Sequence, residues 1–225
     1  MVVKISVALD GLSLDFCEAF SKEVGTHPRL HSLKIHDLVD RHGRDAIDRL
    51  KWSGARVWVD YKLHDIPDTV GRRARVLHAT GADILTVHAA GGVDMMLAAR
   101  DSGTEIFAVT ILTSQKPRLE TIRKYARMAA AAGIVNIVCP AYAITMLSQD
   151  ENLANTHMQF VTPGIRRLSK QKRNHFRTYT IEEAVRVGAH ILVIGSDILG
   201  SGSPVATFNN IARAVEIAES KLAPR

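Results

Sequence analysis

The chain has 225 residues, 46% of them hydrophobic and 23% charged. That is too long for a stapled mini-protein, too short for two full-sized domains and too apolar for a disordered chain. Cys17 and Cys139 alone cannot build a disulfide framework or a four-ligand zinc site, and the net charge of +6 comes with only 5% aromatic residues, which argues against a base-stacking nucleic-acid surface.

Short β-rich runs alternate along the chain with longer stretches of helical periodicity. Strands are expected at 3–9, 32–35, 56–61, 84–87, 106–112, 134–139, 159–161 and 191–194, and helices at 15–24, 43–53, 69–80, 93–102, 119–132, 142–148, 181–187 and 204–222. Runs such as Ile-Leu-Val-Ile at 191–194 are continuous and not alternating, as in parallel strands covered on both faces. Gly25, Gly54, Gly81, Gly103, Gly133 and Gly188 follow helical stretches, where glycine supplies a left-handed C-cap. Eight βα units averaging about 28 residues define an α/β chain with a single (β/α)8 TIM-barrel domain over 1–225; a doubly wound open sheet is the alternative. The apolar stretch 126–147 is divided by Gly133 and Pro140, so it reads as helix, strand and helix and not as a membrane span. The N-terminus lacks a charged segment followed by a long apolar one, and with two cysteines the expected location is the cytoplasm.

In such a barrel, polar groups at the C-terminal ends of strands share one mouth. Those positions hold Asp10, Lys34, Asp60, Lys62, Asp65, His88, Thr113, Arg166 and Ser196. Asp60 and Lys62 are two apart, so on an extended strand both point the same way. One Asp-x-Lys pair is usually a structural ion pair. Lys34 and Asp65 add a second cation and anion at neighbouring strand ends, and Pro67 keeps Asp65 off a regular helix, so four alternating charges in one cleft point to catalysis. His88 reads as hydrogen-bonded structure, Cys139 as a small core hydrophobe, and His36-Asp37 as polar residues opening a loop. The Gly- and Ser-rich segment 195–203 lacks the Gly-Lys-Ser/Thr ending of a triphosphate loop and reads as a flexible loop over the pocket.

Ala8-Leu9-Asp10, Lys34-Ile35, Asp60-Tyr-Lys62-Leu-His64-Asp65-Ile66-Pro67-Asp68-Thr69, Val87-His88-Ala89, Val109-Thr110-Ile-Leu-Thr113-Ser114 and Val161-Thr162-Pro163-Gly164-Ile165-Arg166 resemble, in order and spacing, the motifs of orotidine 5'-monophosphate decarboxylases. The resemblance covers nearly the whole chain. It implies decarboxylation of orotidylate to uridylate and carbon dioxide in pyrimidine biosynthesis, without metal or cofactor, in a homodimer with shared active sites that binds neither nucleic acid nor membrane. Carried onto this chain, Lys62 would donate the proton to C6, Asp60 would lie beside the departing carboxylate, and Lys34 and Asp65 would complete a tetrad. Asp65 and Thr69 would reach in from the other subunit. Asp10 and Lys34 would hold ribose hydroxyls, and Thr113 and Pro163 would border the pyrimidine. Ile66, Gly164, Arg166 and Gly195 would complete the substrate contacts, the last two near the phosphate. Loss of carbon dioxide leaves a poorly delocalised carbanion at C6, and an ammonium already in place is its most direct stabiliser.

One end departs from the pattern. The family usually carries a Gln in the loop after the seventh strand and an Arg after the eighth-strand glycine, where this chain has His175 and Ser196. Three readings stand open: a phosphate grip remodelled on backbone N–H groups with Arg166, Arg167, Lys170 or Arg177; a related pyrimidine nucleoside lacking the 5'-phosphate; or a non-catalytic nucleotide-binding paralogue. A sugar-phosphate lyase of the wider superfamily, which shares only D-x-K-x-x-D, is a further alternative.

Overall fold

The computed structural model describes residues 2–116, 118–166 and 178–222. Eight parallel strands close into a barrel in the order β1-β10-β7-β6-β5-β4-β3-β2, with β2 returning to β1. The strands are β1 (Lys4–Ala8), β2 (Leu30–Ile35), β3 (Val57–Leu63), β4 (Ile84–His88), β5 (Glu105–Val109), β6 (Asn136–Val138), β7 (Gln159–Thr162) and β10 (Ile191–Ile194). A two-residue ladder, β8 (Ile165–Arg166) with β9 (Tyr179–Thr180), lies outside the ring. The (β/α)8 reading is therefore correct, and the open-sheet alternative falls.

Continuous apolar runs follow from the double burial of these strands. Alternate residues turn inward and build a barrel core from Trp58, Ile84, Phe107, Val109, Val138, Val161, Ile191 and Val193. Their neighbours, among them Val57, Val59, Leu85 and Val87, turn outward and pack beneath the helices. The main helices are α1 (Leu14–Val24), α2 (Asp37–His42), α3 (Arg44–Lys51), α4 (Pro67–Ala79), α5 (Val93–Arg100), α6 (Leu119–Ala131), α7 (Ala141–Ser148), α8 (Ile181–Arg186), α9 (Ser196–Leu199) and α10 (Pro204–Ser220). Local chemistry starts several of them. Ser13 caps α1, Thr180 and Glu183 form a reciprocal capping box on α8, and Pro67 and Pro204 open α4 and α10. The 126–147 stretch is helix, strand and helix, and no helix among the described residues is long and apolar enough to cross a membrane.

Some expectations need correction. The helix expected at 43–53 begins only at Arg44, and Gly43 (φ 57°) separates it from α2, which was not foreseen. The segment 195–203 is not simply a loop, since α9 occupies part of it. Five of the six helix-following glycines have positive φ, but Gly25 is right-handed at φ −57°. Its glycine requirement is steric: a Cβ there would fall 2.4 Å from Ser53 Oγ.

Candidate active site

The ends of β1, β2 and β3 carry an alternating row of charges. Lys34 Nζ lies 2.9 Å from Asp10 Oδ2 and 2.9 Å from Asp60 Oδ2, and Lys62 Nζ lies 2.8 Å from that same Asp60 oxygen. Burial is graded along the row: side-chain exposure is 8% for Lys34 and 7% for Asp60, but 34% for Lys62. Burial alone would lower the pKa of the Lys34 ammonium, but the charges of Asp60 and Asp10 outweigh it and hold that pKa above its ordinary value. Asp60 is the mirror case, with burial opposing its charge and Lys34 and Lys62 holding its carboxyl below the usual range.

Asp60 and Lys62 meet as expected, but not through simple strand alternation. Four steps of β3, from Val59 to Leu63, oppose two steps of β4, from Leu85 to Val87, so β3 bulges at this point. Lys62 sits within the bulge at φ 49°, a left-handed conformation uncommon outside glycine. The irregular backbone, and not the period-two pleat, aims its ammonium at Asp60.

This row borders a cavity of about 290 Å³, near the lower end for small-molecule sites. Trp58, Val109, Val138 and Val193 of the barrel core form an apolar floor, and Ile111 and Leu112 add further apolar lining. Of the anticipated residues, Asp10, Lys34, Asp60, Lys62, Thr113, Pro163, Gly164, Arg166, Gly195 and Ser196 line it. Asp65, Ile66 and Thr69 do not. Asp65 is exposed and its Oδ1 accepts the Ile66 backbone N–H at 2.7 Å, while Ile66 is 64% exposed. The four-charge cleft within one chain is thus Asp10–Lys34–Asp60–Lys62, and Asp65 is not its fourth member. The turn into α4 directs Asp65 onto its own backbone. His175, with Arg167, Lys170 and Arg177, lies outside the described residues.

Across the ring from β3, the segment after β7 supplies the other end of the cavity. Gly164 (φ 79°) turns the chain there, and Arg166 Nη1 donates to Asp197 Oδ1 at 3.1 Å and to Ser196 Oγ. Gly195 lies close against β1, where a Cβ would fall 3.0 Å from the Ala8 carbonyl oxygen. Asp197 is not among the residues expected at the site, and its one signal in the sequence is its position directly after Ser196. His36 opens helix α2 and not a loop: its Nδ1 accepts the Asp37 N–H at 2.6 Å, and its Nε2 lies 3.6 Å from Asp10 Oδ1.

Asp10, His36 and Asp37 bring three potential cation ligands together. The Lys34 ammonium already occupies both Asp10 oxygens, at 3.1 and 2.9 Å, and opposes a divalent cation there. His88 has no hydrogen bond to its side chain among the described residues. It packs on His64 with ring centroids 5.7 Å apart, and burial followed by the His64 charge lowers its pKa. Cys139 is fully buried in the core, and burial pushes its thiol pKa well up.

A parallel (β/α)8 barrel whose strand ends place two ammonium groups on one buried carboxylate beside a small cavity defines an enzyme of the TIM-barrel class. The profile of the Orotidine 5'-phosphate decarboxylase / HUMPS family matches residues 4–211, and the chain belongs to that family. It is 33% identical over 220 residues to an orotidine 5'-phosphate decarboxylase of Streptococcus thermophilus (strain CNRZ 1066), covering 91% of this chain and 94% of the relative. With the enzyme of that name from Shouchella clausii (strain KSM-K16) it shares 34% identity over 197 residues, 78% of this chain and 81% of the relative. The crystal structure of orotidine 5'-phosphate decarboxylase from Lactobacillus acidophilus superposes with a TM-score of 0.76 at 28% identity, covering 95% of this chain and 99% of that one. The fold is also that of the Pyrococcus horikoshii OT3 enzyme, with a TM-score of 0.78 at 24% identity over 94% of this chain and 99% of that one.

Proposed function

We propose that the chain decarboxylates an orotidine-type substrate at C6, with orotidylate giving uridylate and carbon dioxide as the reference reaction. The observation that carries this reading is the Lys62 ammonium, held by a buried carboxylate yet open to the cavity. The bond from C6 to the carboxylate breaks, its electron pair stays on C6, and carbon dioxide leaves. The Lys62 ammonium stabilises that pair, donates a proton to C6 and regains one from solvent. Asp60, charged and fixed by two lysines, orients Lys62, and the ribose hydroxyls are assigned to Lys34 and Asp10.

Asp65 and Thr69, which lie away from the cavity of their own chain, are assigned to the cavity of a second copy in a homodimer. The test is a spectrophotometric assay of purified protein with orotidylate and with orotidine. Decarboxylation of either supports the reading, and no turnover of either at high enzyme concentration overturns it.

A further inference from the structure

Asp10 stands beyond the barrel ladder. β1 ends at Ala8 and the Leu9 N–H still reaches the Lys34 carbonyl at 2.9 Å, but Asp10 and Gly11 form a turn, with Gly11 at φ 76°. That turn is tied to α2. Asp37 Oδ1 accepts the Gly11 N–H at 3.2 Å, and Arg41 Nη2 donates to the Leu12 carbonyl at 2.6 Å and to Asp37 Oδ2 at 2.8 Å. Burial opposes the charge on Asp37, yet the Gly11 N–H and the Arg41 guanidinium hold its carboxyl below the usual range. Neither Asp37 nor Arg41 lines the cavity, so any effect on the substrate passes through the turn.

We propose that Asp37 and Arg41 are positioning residues that fix the turn carrying Asp10, so that its carboxylate discriminates substrates by a ribose hydroxyl. The proposal rests on the assignment of Asp10 to the ribose in the decarboxylase reading. Lys34 bonds both Asp10 oxygens, at 3.1 and 2.9 Å, and a carboxylate oxygen keeps a further lone pair for a hydroxyl donor. Where that lone pair points depends on the turn, because Asp10 is 38% exposed and its backbone lies past the end of the strand. A carboxylate fixed beforehand pays no ordering cost when the hydroxyl arrives, and it is left unpaired when the hydroxyl is missing. A loose one turns to water in either case and discriminates little.

The test measures, by calorimetry on the intact protein, the loss of affinity when uridylate is replaced by its 2'-deoxy and 3'-deoxy forms. Asp10→Ala identifies the hydroxyl that Asp10 holds, as the one whose removal then costs about tenfold less than in the native chain. Asp37→Ala and Arg41→Leu leave Asp10 in place and should each lower that same penalty by about fivefold or more. A merely structural role weakens uridylate and its deoxy forms alike and leaves the penalty unchanged. That result overturns the proposal, as does an Asp10→Ala chain whose penalties match the native ones. Arg41 is an exposed side chain, so its variant decides the matter if Asp37→Ala does not fold. Turnover of orotidylate by the native chain, measured in parallel, separates the two claims. Turnover with an unchanged penalty overturns the positioning role alone, a lowered penalty without turnover retains it and sinks the decarboxylase reading, and a native chain that binds no uridylate sinks both.

Discussion

Lys62 reaches Asp60 from a left-handed backbone: its Nζ is 2.8 Å from Asp60 Oδ2 while its φ is 49°. A non-glycine residue in this region costs on the order of 1–3 kcal/mol and persists where surrounding structure enforces it. Here the enforcement is the β3 bulge, and the return is an ammonium placed beside the cavity. Stability and activity should therefore separate at this position. Lys62→Gly relieves the strain and is expected to melt no lower than the native chain, whereas glycine within a regular strand ordinarily destabilises. Its kcat should fall by about a thousandfold or more, since in the proposed mechanism Lys62 is both the proton donor and the charge facing C6. Thermal melting beside an orotidylate assay measures both, and a variant that is active, or much less stable, contradicts this account.

Asp60 tests the charge row from the other side. Two ammonium groups share its Oδ2, so neutralising it leaves Lys34, 8% exposed, facing Lys62 with Asp10 as its remaining carboxylate. Breaking a buried ion pair in this one-sided way costs about 3–5 kcal/mol, and Asp60→Asn should destabilise by that order at neutral pH. The sign with pH follows from the lowered carboxyl pKa. The stabilisation is present above the unfolded aspartate value of about 3.9 and is lost as pH falls below it, so the gap between native and Asp60→Asn chains should narrow in acid. Urea unfolding at neutral and acid pH reads the gap, and a constant difference would refute the assignment.

Much of this architecture was legible because it is local. Runs such as 191–194 are apolar on both faces only where a sheet is covered twice, and glycines 54, 81, 103, 133 and 188 adopt the positive φ that their positions after helices suggested. What escaped was non-local or irregular. Asp197 is paired with Arg166, 31 residues away in sequence and brought near by the packing of β8 against the end of β10. The bulge that aims Lys62 breaks the period-two rule from which its direction was inferred. Helices α2 and α9, of six and four residues, are too short for periodicity to announce. Asp65 is expected in the cleft from its place just after β3 and from the turn at Pro67, yet that turn carries it away from the cavity of its own chain.

That displacement of Asp65 gives the dimer proposal a direct test. If the site combines Lys62 of one subunit with Asp65 of the other, Lys62→Ala and Asp65→Ala chains are each inactive alone. Mixed after dissociation, they form heterodimers with one doubly altered site and one native site. Random reassociation makes heterodimers about half of the population, so activity should recover to about a quarter of the native value. Recovery measured after mixing and re-equilibration supports shared sites. No recovery, or a monomer by light scattering at working concentration, opposes them.

His31, at the base of the barrel, links stability to pH independently of the site. Burial, followed by the charge of Arg56, pushes its pKa down to about 4, and its Nδ1 lies 3.1 Å from Ser32 Oγ with its ring against Phe107. In the unfolded chain the imidazole takes up its proton near pH 6.5, whereas in the folded chain it stays neutral until about pH 4. Between those values the unfolded state binds more protons, so stability falls as pH drops through this window, by a limiting amount of about 3 kcal/mol. His31→Gln removes the titrating group and keeps hydrogen-bonding capacity toward Ser32. The variant should therefore lose part of the stability slope between pH 6.5 and 4 seen in the native chain. Unfolding free energies from urea melts across that interval decide the matter: parallel native and variant curves would show that His31 titrates alike in the folded and unfolded states.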